Sequence, residues 1–139
     1  SSEVEMIEKK HRIEDALEAV RAAKEDGIVI GGGTALLKVV QDLEVDTENP
    51  EQAQGVEIIK EACYEPIRQI LANAGKSPDV AINILQSDQS DIGLNVATDQ
   101  YVDMYEAGVI DPVKVTCCAL QNAMSVSSTL LTTNHAIIG

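Results

Sequence analysis

The stretch "GIVIGGGTALLK", residues 27–38, sets a β-branched run directly before three consecutive glycines and a segment with helical apolar spacing. Glycines between a strand and a helix let backbone N–H groups come close to a ligand at the positive end of the helix. They also suit a tight strand-to-helix turn that binds nothing. The stretch fits neither G-x-G-x-x-G nor G-x-x-x-x-G-K-[ST], so the glycines alone leave both interpretations open.

The segments on either side of this stretch have clear periodicity. Residues 3–26 carry apolar side chains at spacings of three and four, which predicts one long helix that ends at Gly27. Its predicted apolar stripe consists of Ile13, Ala16, Leu17, Val20 and Ala23. "IVI" at 28–30 predicts a short buried strand, and a second helix follows, marked by Leu36, Val39, Val40 and Leu43.

The rest of the chain alternates polar loops with helical patterns. Residues 44–52 predict a polar loop, and a helical pattern from Val56 to Gly75 is expected to be kinked or divided at Pro66. Ser77 and Pro78 suit the N-cap and first position of a short helix that runs to about Gln86.

Towards the C-terminus, residues 87–100 predict a small β-hairpin or an irregular lobe. Asp111 and Pro112 are expected as N-cap and first residue of a last helix to about Thr132, rich in small residues. "HAIIG", residues 135–139, predicts a strand without a partner in this chain. The predicted fold is mainly α, with about five or six helices and short strands.

Composition limits the partners. Ten Lys and Arg against 23 Asp and Glu leave a formal charge of -13, which disfavours nucleic acid and anionic membranes. No apolar run has membrane-spanning length.

The three cysteines are odd in number and lack C-x-x-C spacing, which favours reduced thiols in a cytoplasmic protein. The opening "SSEVEM" lacks an initiator Met and suggests a piece of a longer protein.

Several motifs in a fixed order resemble the C-terminal part of a GroEL-type, group I chaperonin. They are "EDAL" at 14–17, "GGG" at 31–33, "EPIRQI" at 65–70, "GLNVAT" at 93–98 and "GVIDPVKVT" at 108–116. The resemblance implies two domain segments. Residues 1–26 would be the returning helical segment of the intermediate domain, and residues 27–139 the C-terminal half of the equatorial, nucleotide-binding and ring-forming domain.

The resemblance also implies site residues. Gly31, Gly32 and Gly33 match the glycines beside the ribose of ATP, and Asp111 matches the aspartate that bonds the ribose hydroxyls, for which a carboxylate is a suitable acceptor. From the residues alone, Asp111 would equally serve as a helix cap. The Asp-Gly-Thr phosphate loop and most Mg contacts of the family would lie outside this chain, so no metal site is expected within it.

On the adenine side of the expected pocket, the sequence agrees less well with the family motif. Asn95 matches the asparagine at the adenine edge, although it could simply hold a turn. Val109 matches the aliphatic residue packed against the base. Val96 stands where the family has alanine and Leu94 where it has tyrosine, so the resemblance is weaker here.

Asp15 in "EDAL" matches the aspartate that activates the attacking water when the intermediate domain closes. From composition alone, it is a solvated acid on an amphipathic helix.

The first functional hypothesis is therefore an ATP-hydrolysing chaperone that assists protein folding in a homo-oligomeric ring. Its expected partners are unfolded client proteins and a co-chaperonin. Its expected location is the bacterial-type cytoplasm or an organelle matrix. The isolated chain is expected to be inactive, because half a phosphate site stabilises little transition-state charge. A diverged paralogue that acts as a scaffold without an ATPase cycle is the alternative. An acidic helical adaptor unrelated to chaperonins is a third.

Overall fold

The computed structural model describes residues 2–138. They form six helices and four short strands, in agreement with the mainly helical prediction. In chain order the elements are α1 (Glu3–Asp26), β1 (Ile28–Ile30), α2 (Thr34–Gln41), α3 (Pro50–Ala62), α4 (Glu65–Asn73), α5 (Pro78–Gln86), β2 (Ile92–Asn95), β3 (Gln100–Asp103), β4 (Ile110–Pro112) and α6 (Val113–Leu131). β1 pairs with β4, and β2 pairs with β3.

The chain divides into two compact units, residues 29–110 and residues 2–28 with 111–138. The unit of residues 29–110 contains an aliphatic core between α2, α4 and α5. Its buried members are Leu37, Ile67, Leu71, Ala81, Ile82 and Leu85. The buried residues of α2 and α4 recur every three or four positions, and in α5 Leu85 lies three and four positions after Ile82 and Ala81, as a helical apolar face requires. In a chain without Phe or Trp, interlocking aliphatic side chains fill this core.

The end of α5 is capped from a distant helix. The ammonium group of Lys38 in α2 donates hydrogen bonds to the carbonyl oxygens of Leu85, at 2.9 Å, and Asp88. These carbonyls lie at or just after the last turn of α5, where a cation interacts favourably with the helix dipole. Lys38, deep in the helix that follows the glycines, therefore stabilises the fold.

Of the two outcomes predicted for Pro66, the helix is divided and not merely kinked, because α3 ends at Ala62 and α4 begins at Glu65 with this proline in its first turn. α3 begins earlier than the apolar pattern indicates. Asn49 is its N-cap, and the Asn49 side chain accepts a hydrogen bond from the Gln52 amide at 2.8 Å. Ser77 precedes α5 as predicted, although its hydroxyl makes no capping hydrogen bond.

β2 and β3 form an antiparallel hairpin in which Asn95 is opposite Gln100. This confirms the hairpin and not the irregular lobe, with the second strand extending beyond the predicted segment to Asp103. Asp99 closes the turn in the left-handed region with φ of 58°, a conformation that Asp tolerates better than most residues.

The other unit contains α1 and α6. α1 begins with a capping box, in which the Ser2 hydroxyl accepts from the Glu5 amide and the Glu5 carboxylate accepts from the Ser2 amide. It ends at Gly27, as predicted. Its predicted apolar stripe is largely uncovered within residues 2–138, with Ile13, Leu17 and Val20 each more than half exposed.

The predicted cap of α6 is wrong by one residue. Asp111 and Pro112 belong to β4, Pro112 is the N-cap, and the helix begins at Val113. The Val113 amide donates to the Gly27 carbonyl oxygen at 3.1 Å. This backbone bond satisfies one of the donors that a capping side chain would otherwise serve.

The predicted C-terminal strand is also wrong for the residues that can be described. Residues 135–138 have no regular secondary structure, and Gly139 lies outside the described residues. A strand needs a neighbour that accepts and donates its backbone hydrogen bonds, and β1 to β4 pair only among themselves between residues 2 and 138. Across residues 2–138, no helix is long and apolar enough to cross a membrane.

Candidate functional site

Two of the three glycines are required by close backbone packing. A Cβ atom on Gly31 would lie 3.1 Å from the Val109 carbonyl group, whose oxygen accepts a hydrogen bond from the Gly31 amide at 2.8 Å. A Cβ atom on Gly33 would lie 2.7 Å from the backbone nitrogen of Ile67, and Gly33 has φ of 76°. The tight-turn interpretation is therefore sufficient to explain these two positions.

Gly32, between them, has more room. Its φ is 66°, but an added Cβ atom would meet only side-chain atoms, the flexible end of Met104 at 3.4 Å and the Thr34 hydroxyl at 3.9 Å. The amides of Gly32 and Gly33 donate to no other residue among those described, whereas the Thr34 amide donates to the Gly31 carbonyl at 3.1 Å. Two backbone donors at the positive end of α2 can therefore bind a hydroxyl or an anionic oxygen.

Val109 is held beside the glycine turn by its backbone. Its amide donates to the Met104 carbonyl oxygen at 2.9 Å, and its own carbonyl accepts from Gly31. The side chain is half-buried. The structure thus brings together two residue positions that lie far apart in the sequence and that both belong to the expected ribose and base pocket.

Asn95 is the last residue of β2 and makes an Asx turn. Its side-chain oxygen accepts a hydrogen bond from the Ala97 amide at 3.1 Å, and its backbone carbonyl accepts from the Asp99 amide at 2.8 Å. The side-chain NH₂ group has no acceptor among residues 2–138 and is the part available to a ligand. Both the turn-holding role and the ligand role can therefore operate in one residue.

The Asn95 turn is also held by an ion pair. The Lys76 ammonium lies 2.5 Å from the Asp99 carboxylate. The Lys76 backbone follows Gly75 in the capping motif that ends α4, with its amide donating to the Leu71 carbonyl at 2.9 Å. Val96, next to Asn95, packs against the aliphatic core of residues 29–110, as Leu94 does.

Asp111 and Asp15 belong to the other unit. Asp111 is half-buried in β4, and no residue between 2 and 138 donates a hydrogen bond to its carboxylate or forms an ion pair with it. Asp15 is exposed on α1 and lines a groove of about 730 Å³ between α1 and α6. Cys118 and Ala119 from the predicted small-residue surface of α6 line the same groove.

An ion pair joins the end of α1 to the first turn of α6. The Lys114 ammonium donates a hydrogen bond to the Glu25 carboxylate at 2.5 Å. This hydrogen bond, with the charge of Lys114, lowers the pKa of Glu25, and the same hydrogen bond raises the pKa of Lys114. Both side chains are about half exposed, so screening limits what the pair contributes to stability.

The Glu25 shift gives a pH prediction. A folded-state pKa below the unfolded one stabilises the fold above the unfolded value, and this contribution is lost as pH falls through the folded pKa. Lys114→Met should move the NMR titration midpoint of Glu25 upwards, whereas Lys60→Met in the other unit should leave it in place. A Glu25 midpoint unaffected by Lys114→Met would show that the pair does not form in solution.

The candidate residues are thus distributed between the two units. Gly31, Gly32, Gly33, Asn95, Val96 and Val109 lie in residues 29–110, whereas Asp15 and Asp111 lie in the other unit. Residues 2–138 contain no cluster of three or more His, Cys, Asp or Glu side chains that could hold a metal ion. Sequence reasoning missed Met104, a fully buried residue next to both Gly32 and Gly93, because nothing in the spacing of "VDMYEAG" indicates it.

Comparison with known proteins identifies the class to which this helical fold belongs. The sequence model of the TCP-1/cpn60 chaperonin family matches residues 1–139. The chain therefore belongs to the TCP-1/cpn60 chaperonin family, and its fold matches an equatorial-domain segment of such a protein.

Two solved structures illustrate the similarity. The open-state monomer of a group II chaperonin from Methanococcoides burtonii matches with a TM-score of 0.72 and 27% identity, over 96% of this chain and 35% of that one. A group III chaperonin in the open state matches with a TM-score of 0.68 and 28% identity, over 84% of this chain and 25% of that one. The chain thus spans only a minor part of the length of these proteins.

Proposed function

We propose that this chain is part of a subunit of an ATP-hydrolysing chaperonin, in which it supplies the ribose and base contacts for the nucleotide. The observation that carries the proposal is the glycine turn. The free amides of Gly32 and Gly33 lie at the positive end of α2, and the backbone of Gly31 holds Val109 next to them. Backbone donors beside an aliphatic side chain suit a sugar hydroxyl and the face of a base.

The remaining candidates fit complementary parts of a nucleoside. The Asp111 carboxylate, free of partners among the described residues, is an acceptor for two neighbouring ribose hydroxyls. The NH₂ group of Asn95 is a donor for a ring nitrogen of adenine. The domain assignment proposed for the chain, with residues 1–26 in an intermediate domain and 27–139 in an equatorial domain, rests on the sequence motifs.

In this proposal each residue of the chain has a limited task. Gly32, Gly33 and Asp111 bind the sugar, Val109 covers the base, and Asn95 fixes its edge. Asp15 accepts a hydrogen bond from the attacking water and orients it. The phosphates and Mg would be bound mostly by residues outside this chain, so the chain alone would not hydrolyse ATP.

The wider assignment follows the family and the motifs. We propose group I membership from the motif order, although both structures compared belong to other groups. A homo-oligomeric ring, a separate co-chaperonin, unfolded client proteins and a cytoplasmic or organelle-matrix location belong to the same proposal. The exposed Ile137 and Ile138 support ring formation, since an apolar segment of this kind can pair with a neighbouring subunit.

The alternative is a chaperonin paralogue that assembles without an ATPase cycle. Val96 and Leu94 favour it, because both differ from the family pattern and both pack against the core. Calorimetric titration of ATP and ADP into the complete subunit, with a phosphate-release assay, separates the two proposals. The chaperone requires binding and hydrolysis, the scaffold requires neither, and a complete subunit that binds no nucleotide would overturn the first proposal.

Nucleotide affinity is expected to depend on Asp111. Asp111→Ala in the complete subunit should weaken nucleotide binding by about 1–3 kcal/mol, the usual effect of losing a buried hydrogen-bond partner. Because Asp111 is not the N-cap of α6, its loss should leave the thermal stability of the fold nearly unchanged. Asp46→Ala, an exposed acid in the loop before α3, controls for the charge change. Equal affinities for the two variants would remove Asp111 from the site.

A further inference from the structure

Met104 lies outside the main aliphatic core and is nevertheless fully buried. It directly follows β3, and its side chain extends beneath Gly93 in β2. A Cβ atom on Gly93 would lie 2.7 Å from Met104 Cγ and 2.8 Å from Sδ. Gly93 therefore provides the space that the Met104 side chain occupies.

The far end of the same side chain reaches the glycine turn. Met104 Cε lies 3.0 Å from the position that a Cβ atom on Gly93 would take and 3.4 Å from the corresponding position on Gly32. One unbranched side chain thus lies between the hairpin and the turn before α2. Met has three rotatable bonds and fits such a narrow, irregular space.

The backbone of Met104 connects the same segments. Its amide donates to the Asp91 carbonyl at 3.0 Å, and its carbonyl accepts from the Val109 amide at 2.9 Å. The Val109 carbonyl in turn accepts from Gly31 at 2.8 Å. Backbone hydrogen bonds therefore link the start of the hairpin to Met104, Met104 to Val109, and Val109 to the glycine turn.

We propose that Met104 is a positioning residue for the nucleotide site, which fixes the separation between the glycine turn and the hairpin that carries Asn95. This inference rests on the proposed function, because it assigns a role relative to that site. Met104 itself does not touch the ligand. The geometry distinguishes it from the residues of the main core, which pack α2, α4 and α5 against one another.

Met104→Leu tests this role with little change in volume. Leucine is one atom shorter in reach, so it keeps a Cγ atom next to Gly93 and lacks the Cε atom, which is the Met104 atom found near Gly32. Volume-conserving apolar exchanges are generally well tolerated, so the variant should fold. In the complete subunit we expect nucleotide affinity to fall about fourfold, the equivalent of one methylene-sized contact.

Two control variants separate positioning from general repacking. Met124→Leu makes the same chemical change at a half-exposed position of α6, and Leu85→Met exchanges a fully buried side chain within the main core. Neither should change nucleotide affinity. In the 139-residue chain without nucleotide, Met104→Leu should shift the amide resonances of both Gly32 and Asn95, and the controls should shift neither.

The outcomes are distinct. An unmutated complete subunit that binds no nucleotide overturns the proposed function. If it binds and Met104→Leu binds equally well, or if Leu85→Met weakens binding as much, only the role of Met104 is overturned. Unchanged Gly32 and Asn95 amides in Met104→Leu also overturn that role, without any nucleotide being present.

Discussion

Asp15→Ala in the complete subunit is expected to slow ATP hydrolysis by about 10² to 10⁴-fold, the contribution of a typical general base. Nucleotide affinity should stay nearly the same, because a residue that reaches the nucleotide only after domain closure adds little to initial binding. The measurement is single-turnover hydrolysis beside an independent titration of binding. Asp15→Asn keeps the size of the side chain and should lose a comparable part of the rate.

The Asp15 side chain is free of partners among residues 2–138, as a residue that reaches the nucleotide only after domain closure needs to be. It is exposed at the side of a groove, and it forms no ion pair among residues 2–138, unlike its neighbour Glu14, which pairs with Lys10 at 3.7 Å. Glu14→Ala is the matched control, because consecutive helix residues point about 100° apart and only one can face a given ligand. Hydrolysis at the unmutated rate in Asp15→Ala, or equal losses in Glu14→Ala, would contradict the catalytic assignment.

Local signals in the sequence predicted most helices well. α1 has a long apolar period, a capping box and a terminal glycine, and its predicted span agrees with the structure to the residue. The division between α3 and α4 follows from Pro66. These features depend on residues within a few positions of one another, which is why the sequence contains them.

Predictions that depended on distant partners were less successful. The start of α6 is set by a hydrogen bond from Val113 to Gly27, so Asp111 is not needed as a cap. The predicted strand at 135–138 lacks a neighbouring strand among the described residues. At the start of α6 and at residues 135–138, the local sequence suits more than one backbone structure. Hydrogen bonds to residues distant in the sequence, or their absence among residues 2–138, determine which structure forms.

The candidate site shows the same limit. The family resemblance assigns Gly31, Gly32 and Gly33 together to a nucleotide, whereas in the structure each glycine has different neighbouring atoms. Gly31 faces the Val109 backbone, Gly33 faces the Ile67 backbone, and only Gly32 faces side-chain atoms at ordinary contact distance. The sequence cannot distinguish these roles, because the facing residues are about 34 to 78 positions away and the distances depend on the complete fold.

Gly33→Ala is expected to destabilise the unit of residues 29–110 strongly. Two costs add at this position. A non-glycine residue in the left-handed region costs about 1–2 kcal/mol, and forcing an extra methyl group into a packed site typically costs about 1–3 kcal/mol. The new Cβ atom would lie 2.7 to 3.0 Å from backbone and Cβ atoms of Ile67, which cannot rotate away as a flexible side chain could. The expected loss in the free energy of unfolding is therefore about 2–5 kcal/mol.

Two further glycines provide a graded comparison for the same substitution. Gly32 has a similar φ of 66° but faces only side-chain atoms of Met104 and Thr34 at 3.4 Å or more, so Gly32→Ala should show mainly the conformational cost of about 1–2 kcal/mol. Gly55 lies inside α3 with no atom within 4 Å of an added Cβ, so Gly55→Ala should stabilise by about 0.5–1 kcal/mol. Urea unfolding of the three variants, followed by circular dichroism, gives the order. If Gly33→Ala lowers the free energy of unfolding no more than Gly32→Ala does, the glycine turn is farther from Ile67 than in the structure. The free amides of Gly32 and Gly33 would then also lie elsewhere.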